Sequence, residues 1–278
     1  MSNDRTVLIT GCSSGIGYAS AKLLKEKGWR VFATVRKDAD LIRLEGQGFE
    51  VFRLDYTEPV TIAECVAEVA ERTGGKLFAL FNNGAYGQPG ALEDISRAAL
   101  TAQFEANVFG WHELTRDCLK LMRAHGSGRI VNNSSILGLT AMKWRGAYCA
   151  TKFAIEAMSD TLRLELKGTN IHVSLIEPGP IATRFVEHAI EAFERNVDEA
   201  LSNYRENYVR QRQRLSGGGT NRFKLPPEAV AKKLLHALES RKPRRRYYVT
   251  VPTYVMAWAR RLLPPPALDR LLHRASDQ

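Results

Sequence analysis

Cysteine is scarce in this chain: four in 278 residues, at Cys12, Cys65, Cys118 and Cys149. No two stand at metal-ligand spacing, and a chain of this length has no need of disulfide staples, so zinc-ribbon and disulfide-scaffold classes are excluded. The six histidines, His112, His125, His172, His188, His236 and His273, show no ligand spacing with cysteine or acidic residues, and no metal is expected. No apolar run is long enough to cross a bilayer. Residues 1–5 lead straight into a strand pattern, without a signal peptide's apolar stretch and cleavage site. These absences lead us to expect a soluble, cytoplasmic protein. Acidic residues are also in the minority, 30 against 40 Lys and Arg, for a formal net charge of +10. The densest basic run, Arg241-Lys242-Pro243-Arg244-Arg245-Arg246, lacks the fold context and aromatic interleaving of a nucleic-acid module, so no nucleic-acid partner is expected. The excess is read as a basic solvated surface, with attraction of an anionic cofactor or an acidic membrane face as sharper alternatives.

A hydrophobic fraction of 44% is enough for one large core, and residues 1–278 are expected to form a single domain. Short apolar runs at 6–10, 30–35, 50–54, 77–81, 129–132 and 171–176 read as strands. Helical patterns at 16–27, 96–124 and 147–166 alternate with them, and Pro59 sits near the start of another helix. Continuous apolar strands that alternate with helices imply a mostly parallel sheet covered on both faces. Joined by right-handed crossovers, this is a doubly wound, Rossmann-type α/β fold, with 247–250 as a seventh strand. Residues 185–215 read as helical and unusually charged, followed by Ser216-Gly217-Gly218-Gly219. Residues 183–225 are expected to cover a substrate pocket as a lid. The tail, 252–278, carries apolar residues, arginines and a Pro264-Pro265-Pro266 break. It is expected to pack on its own domain, with membrane or subunit contact the less favoured reading.

The first strand runs into Thr10-Gly11-Cys12-Ser13-Ser14-Gly15-Ile16-Gly17. Gly11 permits a tight turn, Gly15 lets backbone approach a pyrophosphate, and Gly17 lets the next helix sit close to the sheet. The helix start offers N–H groups and a positive dipole end. Strand, glycine turn and helix at the N-terminus together point to a dinucleotide. The acidic residue that would hold a ribose 2′-hydroxyl belongs at the end of the second strand, where this chain has Val35 followed by Arg36 and Lys37. Valine accepts no hydrogen bond, whereas Arg36 can pair with a 2′-phosphate, so NADP(H) is expected over NAD(H). Asp55, just after the third strand, either accepts from the adenine amino group or merely begins a turn.

Tyr148 and Lys152 stand four apart on a helix, on one face and one turn apart. A cation there is expected to favour the phenolate and bring the tyrosine toward neutrality, fit to give or take a proton at a carbonyl or alcohol oxygen. Ser134 and Ser135 end the fifth strand at the edge where doubly wound folds bind ligands, and Ser135 would hydrogen-bond the substrate oxygen. Asn107 sits inside the long helix, where asparagine is mildly unfavourable. It either serves packing or solvent, or holds a relay water.

With these residues in place, the chain resembles the short-chain dehydrogenase/reductase family, in its compact branch, over about residues 5–185. The likeness rests on the Thr10–Gly17 turn, Asp55, Asn82-Asn83, Asn107, Ser135 thirteen residues before Tyr148, Lys152, and Pro178-Gly179. The resemblance implies a tetrad in which Tyr148 is the acid/base and Lys152 also binds the nicotinamide ribose. Ser135 polarises the substrate oxygen and Asn107 holds a relay water. It further implies cofactor contacts at Gly11, Ser13, Ser14, Gly15, Ile16, Gly17, Arg36, Asp55, Asn82, Gly84, Pro178, Gly179 and Thr183, the last meeting the carboxamide. Phe81-Asn82-Asn83, Asn107-Val108-Phe109-Gly110 and residues 174–181 are similar to the 17β-hydroxysteroid and retinol dehydrogenase-like subgroup, which implies an apolar carbonyl or alcohol substrate. The family pairs through its long helices, implying a homodimer or homotetramer. In one departure, Asn-Asn-Ala-Gly is replaced by Asn82-Asn83-Gly84-Ala85, which would strain Ala85 if a positive φ were required there. The reading is therefore an NADP(H)-dependent oxidoreductase. The alternatives are a cofactor-binding regulator without turnover and a sugar-nucleotide epimerase or dehydratase; the glycine spacing and short C-terminal region argue against the latter.

Overall fold

A computed structural model describes residues 5–216 and 223–277. Seven strands form one parallel sheet: β1 Thr6–Ile9, β2 Arg30–Val35, β3 Glu50–Arg53, β4 Ala79–Asn82, β5 Gly128–Asn133, β6 Ile171–Glu177 and β7 Arg246–Tyr248. Their spatial order is β3-β2-β1-β4-β5-β6-β7, reversing direction at the β1/β4 junction. Every pairing is parallel, so all carboxyl ends share one edge, and a crevice opens there where the order reverses.

Alternation along the strands divides the core into two layers. Val7 and Ile9 of β1, Val31, Ala33 and Val35 of β2, and Ala79 and Phe81 of β4 point to one face. They meet Leu24 of α1 (Gly15–Glu26), Leu44 of α2 (Asp38–Glu45) and Val230, Leu234 and Leu238 of α9 (Glu228–Glu239). Leu8, Phe32 and Leu80 point to the other face. They meet Ile62 and Val69 of α3 (Pro59–Thr73), Trp111 and Leu114 of α5 (Gly110–His125) and Ile155 of α6 (Gly146–Glu165). Full burial of each such side chain is worth roughly 1.5–3 kcal/mol, and both faces contribute, as a parallel sheet requires.

The elements differ from expectation in four places. Helix α2 was not anticipated, because its eight residues are too few for a clear period and include three charges before Leu44. The stretch at 96–124 is α4 (Arg97–Phe104), a π-helical turn at Glu105–Phe109, and α5. The segment at 185–215 divides into α7 (Phe185–Asn196) and α8 (Arg205–Ser216), while the triple glycine at 217–219 lies outside the described residues. The seventh strand, expected at 247–250, ends at Tyr248, and Thr250 stands at the N-cap position of α10 (Val251–Leu262), which Pro264 separates from α11 (Pro265–Asp277). The tail packs on its own domain along one side only. Thr253, Ala257 and Ser276 are buried, and the Ser276 hydroxyl accepts from the Lys143 amide at 3.2 Å.

Candidate active site

The turn after β1 has the backbone of a phosphate cradle. Gly11 and Gly15 have φ of +68° and +56°, in the left-handed region that favours glycine. A Cβ on Gly17 would lie 2.2 Å from the Gly11 carbonyl oxygen, and one on Gly11 would lie 2.9 Å from the Gly84 Cα. Ser14 makes no side-chain cap bond and the first turn of α1 holds no acidic residue, so the opening N–H groups of the helix are left for an anion. These residues fit a dinucleotide's pyrophosphate. Cys12, inside the turn, is fully buried and its thiol is pushed up to about 12 by burial, which makes it inert packing. Because the obstacle at Gly17 is backbone, it does not yield to a side-chain shift. Gly17→Ala is expected to weaken dinucleotide binding at least about tenfold and to destabilise the fold by about 1–3 kcal/mol, read by nucleotide titration and thermal melting.

The turn is tied to the end of β4. Thr10 Oγ1 accepts from the amides of Asn83 at 2.8 Å and Gly84 at 3.1 Å, and Asn83 Nδ2 donates to the Thr10 carbonyl at 2.9 Å. Trp111 Nε1 donates to the Gly84 carbonyl at 2.7 Å. Neither Gly84 nor Ala85 has a positive φ, so the exchange of small residues there carries no strain. Asn82 is fully buried. Its Nδ2 donates to Thr115 Oγ1 and Asn132 Oδ1, both at 2.9 Å, and its Oδ1 lies 3.0 Å from the Tyr56 hydroxyl. Its side chain therefore joins the ends of β4 and β5 to α5 and Tyr56. Asp55 Oδ1 accepts from the Thr57 amide at 3.0 Å and hydroxyl at 2.8 Å, so this carboxylate does begin a turn.

Arg36 and Lys37 stand exposed at the end of β2. Arg43, on the unanticipated α2, reaches the same corner: its Nη2 donates to the Ser13 carbonyl at 2.6 Å and to Asp40 at 2.7 Å. Thr183 lies over Gly15, 3.1 Å from where a Cβ would stand. The two residues help line a cleft of about 340 Å³ that also includes Tyr18, Ala182, Arg184 and Lys224. Pro178 accepts from the Ile136 amide through its carbonyl at 2.8 Å. Gly179 is required by packing, since a Cβ there would lie 2.1 Å from Thr250 Oγ1.

Ser135, Tyr148 and Lys152 come together at the carboxyl ends of β5 and β6. All three are buried, and Ser135 and Tyr148 are in polar contact. Ser135 Oγ also accepts from the Leu137 amide at 3.0 Å, which fixes its rotamer. Lys152 Nζ donates to the Asn133 carbonyl at 2.8 Å and lies 4.6 Å from the Trp111 ring centroid and 5.5 Å from that of Tyr148. Asn107 joins them from the π-helical turn. Its Nδ2 donates to the Tyr86 carbonyl at 2.9 Å and to Thr151 Oγ1 at 3.2 Å, and its Oδ1 accepts from the Tyr86 amide at 3.3 Å. The turn thus places an awkward mid-helix asparagine where it clamps the chain beside Lys152.

The electrostatics correct one expectation. Burial pushes the Tyr148 phenol up, and only the polar contact with Ser135 opposes this; the lysine does not bring it toward neutrality. Burial likewise carries Lys152 down to about 7, opposed by the Glu156 carboxylate one helical turn on. In so dry a place desolvation outweighs the attraction between the two groups. Behind them Arg246 binds three carboxylates: Glu156, Glu177 at 2.6 Å and Asp160 at 2.6 Å. Burial and the neighbouring Glu156 raise Glu177 to about 8. This cluster joins α6, β6 and β7 directly behind the site.

Two further features were not legible in the sequence. The Phe185 ring packs 5.3 Å from that of Tyr148 and against Gly87, at the start of α7. Trp144, four residues before Tyr148, has a φ of +63°, the one non-glycine residue in that region among the described residues. Rings of Tyr204 at 4.9 Å and Tyr208 at 5.9 Å hold it. Tyr208 in turn donates to Asp94 and accepts from the Ala91 amide at 2.7 Å, and Asn196 Nδ2 donates to Gln88 Oε1 at 2.6 Å. The α7–α8 segment is thereby fastened to the chain that follows β4 and to the residues just before α6. A second cleft, of about 500 Å³, lies between Leu92, Met142, Trp144 and Tyr204.

The comparisons with known proteins agree with this geometry. Residues 5–193 match the short chain dehydrogenase family profile. The chain is 44% identical over 268 residues to an uncharacterized oxidoreductase, YbbO, of Escherichia coli (96% of this chain, 94% of the relative). It is 34% identical over 260 residues to retinol dehydrogenase 8 of Bos taurus (87% and 81%). It is 31% identical over 278 residues to an NADPH-dependent 3-dehydrocapnine reductase of Ornithobacterium rhinotracheale (97% and 96%). A crystal structure of a short-chain dehydrogenase from Streptomyces avermitilis superposes with a TM-score of 0.80 at 30% identity, covering 99% of this chain and 95% of that one. The chain is a member of the short-chain dehydrogenase/reductase family, an oxidoreductase built as a single Rossmann-type domain.

Proposed function

We propose that the protein is an NADP(H)-dependent reductase of apolar aldehydes or ketones that can run in reverse on the corresponding alcohols. The observation that carries this reading is the convergence of Ser135, Tyr148 and Lys152 on the sheet edge that also bears the glycine cradle. NADPH bound there would supply the hydride. Ser135, its rotamer fixed by the Leu137 amide, orients the substrate oxygen toward Tyr148. Tyr148 donates its proton to that oxygen as negative charge develops, and its raised phenol is the protonated form a reduction requires. Lys152 sits below the phenol and, once charged, stabilises the tyrosinate left behind. Asn107 holds the Tyr86 and Thr151 neighbourhood in register and, through a water, would pass protons on from Lys152. Phe185 and the α7–α8 segment act as the lid, excluding water and offering apolar surface; this favours a substrate without charge. The half-exposed Phe109 and Leu100 on the α4–α5 face would be covered by a second copy.

Arg36 carries the cofactor preference, with Arg43 behind it. Each would answer a 2′-phosphate at the β2 corner, and Arg43 also holds the Ser13 carbonyl in place. Arg36→Ala is expected to lower kcat/KM with NADPH by about ten- to a hundredfold and to leave the NADH value nearly unchanged, as loss of a charge-assisted bond would. An equal fall with both cofactors would remove Arg36 from this role.

A further inference from the structure

One face of α10 is built for a surface that the described residues do not provide. Its inner side is packed: Thr253 and Ala257 are buried, and Arg260 turns inward, its guanidinium donating to the Leu139 carbonyl at 2.6 Å and lying 5.0 Å from the Phe153 ring centroid. Its outer side carries Val251, Tyr254, Val255, Trp258 and Leu262, which are 59%, 43%, 52%, 58% and 72% exposed. These positions follow one another by three, one, three and four residues, so they form a single stripe along the helix. A surface helix normally turns such a stripe to the core. Here the core side is already filled by small residues and the larger apolar side chains face out. A contiguous exposed patch containing Trp and Tyr marks an interaction surface.

The charge of α10 and of the helix that follows it points to the occupant. Helix α10 holds no acidic residue. Arg261 at its end and Arg270 and Arg274 on α11 are exposed. From residue 251 to the end of the chain, four Arg face two Asp, within a chain of net charge +10. A second copy docked on this stripe would set Arg261, which flanks Trp258 and Leu262, against its own counterpart, since a two-fold contact sets a patch against itself. An anionic bilayer answers both features: acyl chains receive the stripe, phosphates meet the arginines, and Trp258 and Tyr254 sit at the headgroup level. Twelve residues are too few to span a bilayer, and no described helix is long and apolar enough to cross a membrane.

We infer that the outer face of α10, with the exposed arginines of α11, is a docking surface for an anionic lipid bilayer, on which α10 lies in the plane of the interface. The helix starts where Thr250 packs against Gly179, and Arg260 grips the loop that follows Ser135. Docking would therefore bring the crevice edge close to the bilayer. This surface does not depend on the reaction proposed above, and its test reads binding alone.

Full-length protein is floated with vesicles of phosphatidylcholine alone and with vesicles of phosphatidylcholine and phosphatidylglycerol in equal parts, at low and high salt. Trp258→Asp and the double variant Arg261→Glu/Arg270→Glu are run in parallel, and their folding is checked by thermal melting. The wild type is expected to float with the anionic vesicles, more weakly at high salt and little with the neutral ones. Trp258→Asp is expected to lower partitioning by about tenfold or more with melting unchanged, and the charge variant to remove the preference for anionic lipid. Wild type that stays unbound on both vesicle types overturns the inference, as does binding that a well-folded Trp258→Asp leaves intact. If instead sedimentation shows an oligomer that Trp258→Asp dissociates, and neither vesicle binds, the face is a contact between copies and the inference fails.

Discussion

Replacing Tyr148 with phenylalanine is expected to lower carbonyl turnover by about a thousandfold or more while nucleotide affinity stays within about threefold. The substitution removes one oxygen and keeps the ring that packs against Phe185 and Gly87, so the lid contact survives. What is lost is the proton donor at the substrate oxygen, together with the polar contact to Ser135. Ser135 remains fixed by the Leu137 amide and still orients substrate, so KM should move far less than kcat. Paired steady-state kinetics and nucleotide titration separate these effects. A variant that keeps turnover, or one that loses nucleotide binding as well, would not match a tyrosine acting as acid/base.

Replacing Lys152 with methionine is expected to abolish activity and yet stabilise the fold, by an amount that depends on pH. Burial lowers the lysine from 10.5 to about 7, so between these values the folded chain binds fewer protons than the unfolded chain. Stability contributed by this group therefore rises with pH across that window, and below about pH 7 the penalty of a buried charge is complete. At roughly 1.4 kcal/mol per pKa unit the penalty approaches about 5 kcal/mol, less the bond from Nζ to the Asn133 carbonyl, which methionine cannot make. A net gain of about 2–4 kcal/mol near pH 6 is expected for the variant, shrinking toward zero or below as the pH nears 10. Denaturant unfolding of both proteins at the two pH values checks the sign and the slope. A variant less stable at every pH would mean that the lysine stabilises the fold, contrary to its burial without an adjacent counter-ion bond. The cost marks the lysine as kept for chemistry, where a charge released into a dry site has its largest effect.

These two residues were legible in the sequence because helical spacing alone sets Tyr148 and Lys152 on one face, and because apolar strands place Ser135 at the edge that meets them. The glycine turn was legible for a similar reason: close backbone approach admits only glycine at Gly11 and Gly17. Residues that act through tertiary contact were not legible. Arg43 reaches Ser13 only because α2 forms, and that helix is too short and charged to show a period. Asn107 is singled out in the sequence, but its hold on the Tyr86 backbone follows only from the π-helical turn. Asn82 sits in a cofactor-binding motif, yet its side chain is engaged with Thr115, Asn132 and Tyr56. The expected tuning of Tyr148 by Lys152 failed because spacing says nothing of dielectric. The strained Trp144 and the ring of Phe185 depend on a segment whose polar sequence gives no register against the crevice.

The central claim is that this site transfers hydride from NADPH to an apolar carbonyl. The most direct measurement is the loss of nicotinamide absorbance with wild-type protein, NADPH or NADH, and a series of aliphatic and aromatic aldehydes and ketones, with the alcohol product quantified. The account predicts consumption matched one for one by alcohol, with kcat/KM for NADPH at least about tenfold above that for NADH and rising with the apolar size of the substrate. Tight NADPH binding with no consumption on any member would contradict it and would leave a nucleotide-binding protein without turnover.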